Sequence, residues 1–261
     1  MSMDVFDTTQ KTESGVAYYS RGDSNDVVLL VHGSFGTAQM WGPYVAPLES
    51  AGYRVVALDL AGHGQSDGDL SKIDMDGYVQ NIKDVIAAEG IDPIVIGHSM
   101  SGLVVLMAGV AGLATKLIAI DPSPSLELQG MKPTDGIPDE FSAFDVGMPA
   151  DRDEMIKAHP DIAPETLAAL GKTFGNESGP ARRQRKAGVS IPKDELDRLD
   201  VMFIAAENGA SVPFGIKPAS TMAMGDYYER HVRIVPGATH LGIVVGSHAT
   251  VAVTSIIEFL S

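Results

Sequence analysis

The chain has 261 residues, of which 44% are apolar and 20% charged, a balance that suits one sizeable α/β core and argues against disorder. A formal net charge of −15 repels nucleic acid and anionic membranes, so neither is expected as a partner. Cysteine is absent, which removes disulfides, a thiol nucleophile and thiolate metal sites.

No apolar run is long enough to span a membrane, and the longest, 103–113, reads as a buried helix. The first residues, Met1-Ser2-Met3-Asp4-Val5-Phe6-Asp7, lack the basic-then-apolar pattern of a secretory leader. The expectation is a cytoplasmic protein.

In chain order, residues 16–20 read as an antiparallel edge strand. Short β-rich runs follow at 27–31, 54–58, 94–96 and 117–120, and two more at 201–204 and 231–235. Helical patterns separate them at 38–50, 75–89, 99–112 and 249–260. Such alternation is the signature of a mostly parallel central sheet flanked by helices. Between 122 and 199 the character changes: Pro and Gly are frequent, no β-rich run occurs, and short helical pieces lie at 151–158 and 164–170. The predicted organisation is a core of 1–121 and 200–261 with a helical cap or lid insertion, 122–199, too small for a core of its own.

Ligands of parallel sheets bind at the carboxyl ends of strands, and the polar residues collect there. After the 94–96 run comes Gly97-His98-Ser99-Met100-Ser101-Gly102, leading straight into a helix. A sharp strand-to-helix turn exposes a serine hydroxyl beside free N–H groups of the helix start, where developing negative charge is favoured. The common pattern is G-x-S-x-G. Here Ser101 replaces the last glycine, and it is small enough for the turn to survive. A plain helix N-cap is the bland alternative for Ser99.

Val31-His32-Gly33-Ser34-Phe35-Gly36 follows an earlier strand. A backbone N–H there, from Ser34 or alternatively Phe35, can join that of Met100 in an oxyanion hole. Asp59-Leu60-Ala61-Gly62-His63-Gly64-Gln65-Ser66 reads as a structural turn.

With these three motifs in order, the chain resembles the α/β-hydrolase fold family, in its esterase, lactonase and C–C hydrolase branch. The likeness covers 16–121 and 200–260. It implies that the loop Val235-Pro236-Gly237-Ala238-Thr239-His240 presents the catalytic histidine and gives the competitors His32, His63 and His98 packing or turn roles. Of the other competitors, His159, His231 and His248, the last two begin a strand and a helix, where surface or capping roles are expected.

The acid is less direct. Many relatives hold it after the penultimate strand, where this chain has Gly209; Glu207 is two residues away. Asp121 follows the 117–120 strand, the place used by haloalkane dehalogenases, zearalenone-type lactonases and certain cofactor-free dioxygenases. Asp121 is therefore the first candidate and Glu207 the alternative. Phe35, Trp41, Phe214 and Met222 are candidates for an apolar substrate pocket. The basic run Arg182-Arg183-Gln184-Arg185-Lys186 reads as a solvated helix face, with one guanidinium for a substrate carboxylate as the alternative.

The resemblance implies a serine hydrolase acting on a small-molecule ester or lactone through an acyl-enzyme, without metal or cofactor. The segment Gly36-Thr37-Ala38-Gln39-Met40-Trp41 and the filled Asp121 are similar to zearalenone-type lactonases. Alternatives on the same residues are C–C bond or amide hydrolysis of ring-fission products, a cofactor-free dioxygenase or perhydrolase, and a ligand receptor. A haloalkane dehalogenase needs Asp where Ser99 stands.

Overall fold

Strands buried on both faces become continuous apolar runs rather than alternating ones, and Val27–Val31 is buried at every position. In the computed structural model, which describes residues 5–210 and 216–261, this run is the middle of the sheet.

The elements in order are β1 (Thr8–Lys11), β2 (Ala17–Arg21), β3 (Val27–Val31), α1 (Gly42–Ser50), β4 (Arg54–Leu58), α2 (Met75–Glu89), β5 (Ile94–His98), α3 (Met100–Val110) and β6 (Lys116–Ile120). The segment 122–199 then carries α4 (Leu126–Gln129), β7 (Glu140–Phe141), α5 (Arg152–Ala158), α6 (Pro164–Leu170), β8 (Glu177–Ser178), α7 (Gly179–Ala187) and α8 (Lys193–Leu196). The chain ends with β9 (Asp200–Ala206), α9 (Pro218–Tyr228), β10 (Val232–Val235), α10 (Gly242–Val245) and α11 (Ala249–Leu260).

The sheet order is β1-β2-β4-β3-β5-β6-β9-β10. Every pairing from β4 to β10 is parallel, while β2 pairs antiparallel with both β1 and β4, so among these strands β2 alone runs against the rest. The expected architecture is thus observed, with one correction at its margin. The 16–20 run is antiparallel but does not form the edge. The exposed β1 covers it, with Thr8 against Ser20. A fully polar strand, Thr8-Thr9-Gln10-Lys11, suits an edge because it needs no second face to bury.

Helix α2 shows how local signals set an element. Asp74 caps it by accepting from Gly77 N, Gly90 ends it at φ 62°, and Met75, Tyr78, Ile82 and Val85 form its buried stripe. Helix α3 is buried nearly all round, as its unbroken apolar sequence requires.

After the insertion the chain returns as β9 directly beside β6, with Lys116 opposite Asp200. The insertion contains one sheet-like feature absent from the sequence expectation, the two-residue pair β7 and β8. Its contacts with the sheet domain are polar as well as apolar. Tyr78 donates to Glu177 at 2.6 Å, Met75 N donates to the Gln184 side-chain Oε1 at 2.7 Å, and Gly175 N donates to Phe35 O at 3.1 Å.

Candidate active site

The turn between β5 and α3 is set by close packing. A Cβ on Gly97 would lie 2.1 Å from the Ser101 carbonyl oxygen, so only glycine lets the strand pass the first turn of the helix. Ser99 itself has φ 58° and ψ −117°, a conformation that costs about 1–3 kcal/mol and persists only where the surroundings enforce it. They do: Ser99 N donates to Ile120 O at 2.9 Å, and Ser99 O accepts from Gly102 N at 3.1 Å and Ser123 N at 2.8 Å. The expected tolerance of Ser101 has a physical basis beyond size. Its buried hydroxyl donates to His32 O at 2.5 Å, tying the turn to the loop after β3.

His240 lies on the loop after β10, with its N–H donating to Gly209 O at 2.8 Å. Its Nε2 is 3.0 Å from Ser99 Oγ, and its Nδ1 is 3.1 Å from Asp121 Oδ2. A proton on Nδ1 facing the carboxylate leaves the Nε2 lone pair free to accept from the serine hydroxyl. The His98 ring packs against it, tilted by 36° at 4.5 Å between centroids, and its Nε2 donates to His240 O at 2.8 Å. Burial lowers the His240 imidazole, helped by the nearby His159, which favours the neutral ring that a general base starts from.

Asp121 is fully buried at the end of β6, with φ 42°. Burial pushes its carboxyl up, opposed first by the Ala206 N–H, which donates to Oδ1 at 3.0 Å, and also by the Thr221 hydroxyl.

The two carboxylate candidates are therefore separated. Asp121 contacts His240, whereas Glu207 is exposed and accepts from Gly237 N at 2.8 Å. Gly209 has no room for the usual acid. Its φ is 54°, and a Cβ would lie 2.6 Å from Pro218 Cδ and 2.8 Å from Ile216 O.

Ser34, Phe35 and Ser99 line one cavity of about 390 Å³. Phe35 has φ 65°, and the Ser34 hydroxyl donates to Met100 Sδ at 3.4 Å. Two of the proposed pocket residues lie elsewhere. Trp41 is fully buried in the core, edge-on to Tyr44 at 5.0 Å. Met222 is 42% exposed on α9. Phe214 lies outside the described residues.

The basic run of α7 also departs from expectation. Arg182, Arg185 and Lys186 are half-buried and line the Ser99 cavity. The run was visible in sequence, but its direction depended on how the insertion packs. A second, more apolar cavity of about 360 Å³ lies within residues 142–176 and is lined by neither Ser99 nor His240.

The Asp59 turn is structural, as expected: its buried carboxylate accepts from Ala38 N, Gln65 N and the Tyr19 hydroxyl. Among the described residues no group of three or more His, Asp or Glu is placed to hold a metal ion, and no helix is long and apolar enough to cross a membrane.

Comparison with known proteins gives a consistent picture. A family model described as "Alpha/beta hydrolase family" matches residues 28–253. A stretch of 142 residues is 32% identical to the pyrethroid hydrolase of Sphingobium wenxiniae, taking in 50% of this chain and 49% of that relative. The chain thus spans about half the length of this curated relative. Among solved structures, a bromoperoxidase from Bacillus anthracis has a TM-score of 0.75 at 19% identity, covering 97% of this chain and 99% of its own. A thermophilic esterase from Thermogutta terrifontis has a TM-score of 0.72 at 17% identity, covering 97% of each chain. At such identities the structural likeness is one of fold.

Proposed function

We propose, from the premise that the chain belongs to the alpha/beta hydrolase family, that it is a serine hydrolase cleaving a small-molecule carboxylic ester or lactone. The observation that carries this reading is the continuous hydrogen-bonded chain from Ser99 Oγ through the His240 ring to Asp121. The hydrolase name of the relative that is 32% identical over half of the chain supports hydrolysis.

In this mechanism Ser99 Oγ attacks the ester carbonyl while His240 Nε2 takes its proton. The backbone N–H groups of Met100 and of Ser34, with Phe35 as the alternative second donor, receive the oxyanion. Collapse breaks the bond to the leaving oxygen, which takes the proton back from His240. Water then attacks the acyl-enzyme, again losing its proton to His240, and Ser99 is regenerated as the acid departs. Asp121 holds the productive tautomer and stabilises the imidazolium in both steps. The insertion, 122–199, acts as a cap over this site, and the reaction consumes only water besides the ester.

Intact-mass and peptide analysis after exposure to a fluorophosphonate tests the reading. One adduct on Ser99, lost in Ser99→Ala together with 4-nitrophenyl acetate hydrolysis, is expected. Hydrolysis surviving in folded Ser99→Ala sinks the mechanism, and oxygen uptake with product oxidation would favour the dioxygenase alternative.

A further inference from the structure

Among the described residues lining the Ser99 cavity, five are basic and none is acidic: Lys132, Arg182, Arg185, Lys186 and Lys217. On a chain of net charge −15, this local reversal of sign is concentrated at the one cavity that contains Ser99.

Arg185 is the nearest of these to the nucleophile through bonded contacts. Its Nη1 donates to Ser123 Oγ at 2.8 Å, and Ser123 N donates to Ser99 O at 2.8 Å. One hydrogen bond to a neutral hydroxyl does not satisfy a half-buried guanidinium with five N–H donors. No carboxylate among the described residues forms an ion pair with Arg185 or Arg182, whereas Arg183 on the same helix pairs with Asp139 at 2.8 Å. Arg182 lies over the Phe141 ring at 4.8 Å. Glu177, the carboxylate both arginines feel, is engaged by the Tyr78 hydroxyl at 2.6 Å and by His63 at 3.6 Å.

The cluster is therefore unfavourable by itself. Burial and then Arg182 lower the Arg185 guanidinium to about 10, and burial and the neighbouring cations lower Lys186. An anion among these side chains would relieve both the repulsion and the unmet hydrogen bonding.

We propose that the cavity binds a carboxylate of the substrate, so that the natural ester is an anionic one, such as a half-ester of a dicarboxylic acid, with its charge held by Arg185 and Arg182. The planar guanidinium fork matches a carboxylate in two parallel hydrogen bonds. That the bound molecule is an ester rests on the Ser99 reading above; the anion site does not.

Two measurements separate the two ideas. In the Ser99→Ala protein, calorimetry with adipate tests binding without turnover. Adipate should bind, dimethyl adipate should not, and adding Arg185→Gln should weaken adipate by about tenfold or more. With active enzyme, kcat/KM for mono-4-nitrophenyl adipate should exceed that for its methyl-capped analogue by about tenfold. That ratio should fall to near one in Arg185→Gln and fall severalfold in Lys186→Gln, which touches no contact of Ser123. Arg183→Gln, removing an equal charge from the outer face, should leave the ratio in place.

A neutral ester preferred by wild type, or a ratio equally sensitive to Arg183→Gln, overturns the carboxylate site. Tight binding of inorganic phosphate with none of adipate overturns it too. Arginine-dependent adipate binding without turnover of either ester would leave the site standing and sink the ester reading instead.

Discussion

Nδ1 of His240 lies 3.1 Å from Oδ2 of Asp121, across 119 residues of chain. The contact depends on β6 and β9 being neighbours and on β10 flanking β9, which brings the ends of β6 and β10 to one edge of the sheet. Asp121→Asn should keep the fold and lower kcat by about 10³–10⁴, because an amide favours the wrong tautomer and cannot stabilise the imidazolium. Glu207→Gln should cost little, since among the described residues its carboxylate accepts only from Gly237 N. Steady-state kinetics of both variants on one nitrophenyl ester decide it; a larger loss at Glu207 refutes the assignment.

Ser101 replaces the glycine usual in the turn around Ser99, and its hydroxyl bonds the His32 carbonyl. Ser101→Ala leaves that buried oxygen without this donor. The expected cost is about 1–3 kcal/mol of unfolding free energy, read by urea denaturation. An unchanged midpoint would show that the hydroxyl contributes nothing.

Asp161 of the insertion accepts from Thr239 N at 2.8 Å, from the Thr239 hydroxyl at 2.7 Å and from His248 Nδ1 at 3.1 Å. A Cβ on Gly242 would lie 1.8 Å from an Asp161 oxygen. Both Asp161→Ala and Gly242→Ala should loosen the loop that carries His240. Each should lower thermal stability and reduce kcat by about tenfold, with fluorophosphonate labelling slowed in proportion. Normal labelling rates in both would separate this contact from the site.

The Glu177 and His63 pair gives a pH signature. Burial alone would raise Glu177, but His63, the Tyr78 hydroxyl and the Ser178 N–H hold it down to about 2. Burial alone would lower His63, but the Glu177 carboxylate raises it above its ordinary value. A depressed carboxyl stabilises above its unfolded pKa of 4.5 and loses that contribution as pH falls toward about 2. A raised histidine stabilises below 6.5 and loses its contribution as pH climbs through the raised value. The stability gap between wild type and Glu177→Gln should therefore be widest between about pH 4.5 and 6.5 and shrink on both sides. Urea titrations across that range, with a flat gap as the contrary result, test it.

Local features carried most of the fold. The buried stripe and caps of α2, and the apolar runs of β3 and β5, are readable because period and turn chemistry operate within a few residues. Helix α9 was not, since its sequence mixes buried Thr221 and Met224 with exposed Met222 and has little apolar period. The 16–20 strand was readable as a strand but not as an inner one, because polar β1 is specified by pairing rather than by pattern.

By itself the sequence determined the alternation that makes a parallel sheet and the glycine-tight turn presenting Ser99, while the loop presenting His240 was named from the family resemblance and not from local pattern. The alternation and the turn depend on the conformations open to adjacent residues. Tertiary structure alone decided which carboxylate lies beside His240, that Trp41 and Met222 stay out of the Ser99 cavity, and that Arg182 and Arg185 of α7 line it. Those are distances between segments far apart in the chain, set by strand order and by how the insertion packs, and no local periodicity encodes them.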